Sequence, residues 1–89
     1  MRVMFDPQKD ASNVVKHGVS LALADALDWA ASWVWIDLRH DYGEERQCAL
    51  VPKDQRLFFV AFVDRDDVRR VISLRKANDR EVKHYAENN

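Results

Sequence analysis

The chain has 89 residues, of which 47% are hydrophobic and 33% charged, with two Gly and two Pro. This size fits a single domain over residues 1–89 and excludes a second, and the composition excludes a disordered chain. The formal net charge of −1 is low for a protein that holds nucleic acid.

The N-terminal third predicts a short strand and two helices. Residues 2–5 alternate as in a strand, and the Asp-Pro pair that follows supplies an N-cap and a Pro at the first helical position. A helix is therefore predicted over residues 7–17, and Gly18 can adopt the left-handed conformation that ends it. Ser20 is a second N-cap, and apolar residues at helical spacing predict a second helix that ends near Ala31.

The remainder predicts a sheet followed by a helix. Turn residues at 40–43, 52–55 and 64–67 separate strands that are predicted over residues 33–38, 45–51, 57–63 and 68–74. The uninterrupted apolar run of the third of these strands is typical of a central strand covered on both faces. Asn78, with Glu81 three residues later, predicts a capping box at the start of a C-terminal helix. We therefore expect an α+β fold with a small, mainly antiparallel sheet, two N-terminal helices and one C-terminal helix.

Two basic clusters flank the predicted helices. Lys16 and His17 lie at the end of the first helix, where the helix dipole favours cations, so capping explains them without any function. Arg75 and Lys76 lie between the last strand and the capped helix, and strand alternation places Arg75 on the same face as Val71. Strand ends of this kind often carry functional groups.

A third cluster, Glu44-Glu45-Arg46, opens the second predicted strand of the sheet. Alternation places Arg46 on the same face as Cys48 and Leu50, where a charge is costly unless it meets a carboxylate or a phosphate. The residues by themselves leave a buried ion pair and a phosphate clamp as open alternatives.

Several site classes are unsupported by the sequence. The three histidines, His17, His40 and His84, have no paired metal-ligand spacing, so we expect no metal and no cofactor. No Gly-rich phosphate loop or hydrolase motif is present, and Cys48 is expected to be a buried free thiol. Two readings remain: an RNA-cleaving or phosphate-binding site of Arg, Lys and His, or a noncatalytic interaction domain.

Three segments together resemble the BrnT toxin family. In chain order they are Phe5-Asp6-Pro7-x-Lys9-x-x-x-Asn13-x-x-Lys16-His17-Gly18-Val19-Ser20, then Gly43-Glu44-Glu45-Arg46, then Val71-Ile72-Ser73-x-Arg75-Lys76-Ala77 with Glu81 and Tyr85. The resemblance implies a RelE-like fold and the toxin of a type II toxin–antitoxin system. It further implies a metal-independent endoribonuclease that inhibits translation and is neutralised by a BrnA-like antitoxin, whose ribbon-helix-helix part alone would contact operator DNA.

The resemblance also assigns roles to the charged residues. His17 would be a catalytic acid or base, since a reference pKa of about 6.5 suits proton transfer near neutral pH. The catalytic phosphate contacts would be Arg46, Arg65 and Arg75. Substrate-binding groups would be Lys16, Lys76 and Glu44, the last by orienting an arginine. We expect a cytoplasmic protein without membrane contact, because no stretch is apolar for the length of a membrane span and the N-terminus does not resemble a signal peptide.

The alternative is a catalytically weak or inactive family member. Such a protein would act as a binding module through its antitoxin complex on DNA. Trp33 and Trp35 are the aromatic residues that could then seat an apolar partner segment.

Overall fold

The structure is a computed structural model that describes residues 1–39 and 43–88, and within these ranges five strands and two α-helices surround one core. The strands are β1 (Arg2–Met4), β2 (Trp33–Ile36), β3 (Gln47–Lys53), β4 (Arg56–Arg65) and β5 (Val68–Lys76). The α-helices are α1 (Pro7–His17) and α2 (Asp79–Glu87), and two 3-10 segments follow α1, Leu21–Ala26 and Trp29–Ala31. Most of the turn predicted at 40–43 lies outside the described residues.

The strands form one mixed sheet in the order β1-β5-β4-β3-β2. Three neighbouring pairs are antiparallel, whereas β1 runs parallel to β5. Short hairpin connections cannot predict the pairing of β1 with β5, because these two strands are separated by most of the chain. The predicted α+β class is confirmed, and β4 is the central strand that its apolar run predicts.

The prediction of a second N-terminal α-helix is wrong. Residues 21–31 contain the two 3-10 segments, which are separated by Leu27, in an extended conformation, and Asp28. The buried residues Leu21, Ala24 and Leu27 are spaced by three, which is one face of a 3-10 helix with three residues per turn. The interruption also lets the Asp28 N–H donate to the Pro52 carbonyl at 2.9 Å. The burial of these residues against the sheet therefore outweighs the α-helix propensity of this segment.

The sequence predicts that β3 ends before Pro52, but the strand runs through this residue. The strand continues to Lys53, with Pro52 opposite Leu57, and the chain turns at Asp54, whose φ is +56°. The Pro52 carbonyl is used by Asp28, as described above. Pro lacks a backbone N–H group but keeps its carbonyl. It is therefore tolerated at a strand position where only the carbonyl forms a hydrogen bond.

A β-bulge changes which side chains of β5 share a face. Ala61 pairs with Ser73 and Phe62 pairs with Val71, so Ile72 is an extra residue in β5. Val71 and Leu74 are consequently both on the core side of the sheet. The predicted alternation, which grouped Val71 with Arg75, is wrong for this reason.

The core lies between one face of the sheet, here called the core face, and the 3-10 segments. Its fully buried residues include Leu21 and Ala24 from the first 3-10 segment, and Phe62, Val71 and Leu74 from the sheet. The N-cap of α1 is Asp6, and Gly18 ends that helix with a φ of +72°, which confirms both predicted boundaries. No helix in residues 1–39 or 43–88 is long and apolar enough to cross a membrane.

Candidate nucleic-acid interface

The opposite face of the sheet, here called the α2 face, gathers aromatic and cationic side chains. Strand register aligns Trp33, Leu50, Phe59 and Arg75 in one row across the sheet. The neighbouring row consists of Trp35, Cys48, Ala61 and Ser73. The bulge in β5 is what keeps Arg75 and Ser73 on this face while Leu74 and Val71 fill the core.

α2 covers one end of the α2 face. Its predicted capping box is confirmed, since Asn78 Oδ1 accepts from the Glu81 N–H and the Glu81 carboxylate accepts from the Asn78 N–H. The helix touches the sheet side through Glu81 on Arg75, His84 on Trp33 at 4.3 Å between ring centroids, and Tyr85, whose hydroxyl donates to the Ala31 carbonyl at 2.6 Å. No residue of this helix is buried, so α2 packs only loosely on the sheet.

Beyond the edge of α2, a groove of about 470 Å³ opens over the same face. Its lining consists of Trp35, Ile36, Asp37, Leu38, Arg39, Cys48 and Phe59. The floor is apolar and the rim is charged. Concave surfaces of this size with few polar groups are typical of ligand sites.

Arg75 is held in place at the side of this groove. Its Nη1 and Nη2 atoms donate to the two carboxylate oxygens of Glu81 at 2.8 and 3.0 Å. Its guanidinium carbon lies 4.3 Å from the centroid of the Phe59 ring. A planar fork fixed by a carboxylate and an aromatic ring is pre-organised to bind a second anion with its remaining N–H groups.

Arg46 and Arg39 lie near the other side of the groove. Arg46 is half-buried immediately before β3, and its carbonyl accepts from the Asp37 N–H at 2.8 Å. Arg39 forms a two-pronged ion pair with Asp37, with both contacts at 2.9 Å. The Asp37 side chain is buried by this arrangement, as expected for a carboxylate that meets a guanidinium.

Cys48 reports the electrostatics of the groove floor. Burial raises the pKa of its thiol and Asp37 raises it further, while Arg39, Arg46 and Arg75 each lower it. The net direction is upward, so Cys48 is a protonated thiol at neutral pH and a poor nucleophile. The opposing contributions come from charged side chains on both sides of the groove floor.

Arg65 lies at the far end of the α2 face. It follows Phe59, Ala61 and Val63 on the same side of β4, so about 20 Å of strand separates it from the Arg75 row. Arg65 Nη2 donates to Glu44 Oε2 at 2.8 Å, in an exposed pair. The predicted contact between Glu44 and an arginine is thus present, but Arg65 and Arg75 cannot touch the same phosphate.

The other predicted site residues lie elsewhere. Lys16 and His17 are exposed in the last turn of α1, which lies against β5. Lys76 pairs with Phe58 at the end of β5 and so belongs to the core-face side, opposite Arg75. In the described ranges, no hydrogen bond or ion pair joins His17 to Arg46, Arg65 or Arg75.

Sequence reasoning missed three contributors to this surface. Phe59 was one residue of the apolar run of β4, Glu81 was assigned a capping role without a contact to Arg75, and Asp37 was included in a predicted strand without a role. The spacing of Arg75 and Glu81 across the β5–α2 connection is a signal for their pairing, because a capping box fixes the direction of the Glu81 side chain. No local signal identifies Phe59.

Comparison with known proteins agrees with the ribonuclease reading. No curated protein matches the chain. A family model described as the ribonuclease toxin, BrnT, of the type II toxin–antitoxin system matches residues 5–81. This description does not support the alternative of a noncatalytic binding module. Because the match covers most of the chain, including every motif residue except Tyr85, the chain belongs to the BrnT family of type II toxin–antitoxin ribonuclease toxins.

Proposed function

We propose that this chain is a metal-independent endoribonuclease that cleaves RNA on the α2 face and thereby inhibits translation. The observation that carries the proposal is the position of Arg75 on Phe59 and of Arg46 beside Asp37, two residues that line one groove together with Trp35. Guanidinium groups bind phosphates and aromatic rings bind unpaired bases, and single-stranded RNA offers both.

The reaction that suits these groups is attack of a ribose 2′-hydroxyl on the adjacent phosphorus. The O–P bond to the next nucleotide breaks, leaving a 2′,3′-cyclic phosphate and a 5′-hydroxyl. The transition state concentrates negative charge on the phosphoryl oxygens, and fixed cations stabilise it. Arg75 donates two N–H groups to Glu81 and one to the Lys76 carbonyl, which leaves two of its five for a phosphate.

The reaction also needs a proton acceptor and a proton donor. His17 is proposed for one of these steps on the strength of its motif, with Lys16, Lys76 and the Glu44–Arg65 pair as contacts to flanking phosphates. Because His17 lies on α1, away from the α2 face, its role depends on the path of the RNA around β5. A variant at His17 therefore tests the proton-transfer assignment separately from the arginine site.

The partner proposed for this toxin is a cognate BrnA-like ribbon-helix-helix antitoxin. Membership of a type II family supports a protein antitoxin that binds the toxin directly. In this proposal the RelE-like toxin contacts operator DNA only through that antitoxin, and both act in the cytoplasm. Co-expression with the antitoxin is expected to restore growth and to yield a complex on purification.

The decisive experiment is RNA cleavage by the purified protein in excess EDTA. We expect Arg75→Ala to slow cleavage by about 100-fold or more, the usual loss when a group that stabilises developing charge is removed. Arg75→Lys keeps the charge but not the fork, so an intermediate rate is expected. Circular dichroism would verify that both variants fold.

Arg56→Ala is the matched control. Arg56 is an exposed arginine of β4 on the core-face side of the sheet, opposite Lys53. Its loss should leave the cleavage rate within about two-fold, because surface substitutions away from a site have small effects. RNA left intact by the unaltered protein would contradict the proposed enzyme, and equal losses at Arg56 and Arg75 would contradict the proposed site.

A further inference from the structure

Three aromatic residues, Trp33, Trp35 and Phe59, lie together on the α2 face. His84 lies against Trp33 at 4.3 Å, and the Arg75 guanidinium lies on Phe59 at 4.3 Å. Trp35 is 36% exposed and lines the groove between them. Its neighbours Trp33 and Phe59, at 5.5 and 6.0 Å between centroids, hold the indole from the side.

We propose that Trp35 is the base-binding residue of this protein, on which one unpaired base of an RNA strand stacks. The inference rests on the proposed function, since it takes the α2 face as the RNA-binding surface. It adds the recognition of a base to the recognition of phosphates. A ring that is already held in place loses little conformational freedom when a base stacks on it, which favours binding.

The charges around the groove select the kind of occupant. Arg39 lines the groove, and the Arg75 guanidinium lies on Phe59, which also lines it, so two guanidinium groups lie beside the cavity. An apolar protein segment would gain nothing from these cations. A nucleotide uses both parts of the surface, because its base can stack on the indole while its phosphate meets an arginine.

The geometry also selects single strands over duplexes. A base that stacks on a side chain must first leave its neighbours, and paired bases in an A-form helix are not accessible in this way. The groove volume of about 470 Å³ is within the usual range of roughly 300–1,000 Å³ for small-molecule sites and accommodates a base. Trp35 therefore favours RNA loops and unpaired ends as substrates.

The test separates the base from the backbone. A single-stranded tetranucleotide with 2′-O-methyl groups cannot be cleaved by its own 2′-oxygen, so its binding can be measured on the active protein. Its counterpart with every base removed keeps the phosphates. We expect the unaltered protein to bind the base-bearing oligonucleotide about ten-fold or more tightly than the abasic one, as stacking on an aromatic residue provides. Trp35→Ala should bind the two equally.

Three further variants keep the result specific. Trp35→Phe retains a ring and should keep most of the preference, which a merely structural role for the indole would not require. Val34→Ala, on the same strand but facing away from the α2 face, should change nothing. Arg75→Ala should weaken both oligonucleotides alike and so preserve their ratio.

Each remaining outcome contradicts a definite claim. If Trp35→Ala keeps the full preference for the base-bearing oligonucleotide, the base-stacking proposal is overturned, while RNA cleavage by the unaltered protein leaves the proposed function intact. If the unaltered protein cleaves RNA but binds both oligonucleotides equally, base recognition at Trp35 is again overturned. If it neither binds nor cleaves, both proposals fall.

Discussion

Asn13 shows how a single motif residue serves the fold rather than the chemistry. It is buried in α1, where its Nδ2 donates to the carbonyls of Leu74 and Val19, each at 2.8 Å, and its Oδ1 accepts from the Leu74 N–H at 3.1 Å. β1 pairs with β5 only as far as Arg70, so the amide group of Asn13 takes the place of a neighbouring strand at Leu74. This accounts for its position among the family-like residues of α1.

Replacing Asn13 by Ala is predicted to destabilise the protein by about 1–3 kcal/mol. The change leaves the N–H and carbonyl of Leu74 buried without these partners, and unsatisfied buried groups cost approximately this much. Urea denaturation followed by circular dichroism measures the difference. Val15→Ala, at an exposed site of the same helix, should stay within about 0.5 kcal/mol of the unaltered protein. An equally small effect at Asn13 would contradict its bridging role.

At the scale of elements, the position of α2 on the sheet depends largely on polar contacts. No residue of α2 is buried, and Glu81 both closes the capping box and binds Arg75. Burial alone would raise the pKa of Glu81, but hydrogen bonds from Arg75 and the Asn78 N–H, together with the nearby positive charges, hold this pKa below its ordinary value of 4.5. The ionised carboxylate is therefore the form that keeps α2 on the sheet.

Glu81→Gln should lower stability at pH 7 by up to about 1 kcal/mol, because the pair is partly exposed and screened by solvent. A depressed pKa in the folded state means that the contribution of Glu81 is complete above pH 4.5 and is lost as the pH falls through the folded value. The difference between variant and unaltered protein in urea denaturation should accordingly shrink at acidic pH.

Glu87→Gln at the other end of α2 is the control for this experiment. It removes a carboxylate from the same helix without touching Arg75, so it should not reproduce the pH-dependent difference. If the stability difference between Glu81→Gln and the unaltered protein stays constant down to pH 3, the charge of Glu81 does not contribute to its pairing with Arg75.

At the scale of the whole molecule, the distribution of charge matters more than the net charge of −1. Arg39 lines the groove, Arg75 lies on Phe59 and Arg46 lies beside Asp37 at its sides. Acidic groups such as Asp64 and Glu44 are paired with Arg69 and Arg65. A local cationic surface can release counterions from RNA even when the total charge is slightly negative.

Binding of single-stranded RNA is therefore predicted to weaken with salt at a moderate slope. Three phosphate contacts, at about 0.7 counterions each, give a slope near −2 for log K against log salt concentration. Fluorescence anisotropy with the uncleavable 2′-O-methyl oligonucleotide measures it, and Arg46→Ala should reduce its magnitude by about 0.7. A slope near zero would contradict phosphate recognition on the α2 face.

The sequence by itself determined the features that depend on neighbouring residues. Asp6 and Gly18 mark the two ends of α1, and Asn78 with Glu81 marks the start of α2. These boundaries are predictable because a cap satisfies backbone groups only a few residues away. The apolar run over residues 57–63 identified the central strand, since only a strand covered on both faces needs such a run. The three spaced motifs indicated the family.

Only the tertiary structure decided which of these residues share a surface. The bulge at Ile72 placed Arg75 on the α2 face, and core packing turned residues 21–31 into 3-10 segments. Strand register put Trp35 beside Cys48 and left Lys76 on the opposite side of the sheet from Arg75. A side chain's face depends on how partner strands pair, and those partners lie tens of residues away, so no local pattern contains this information.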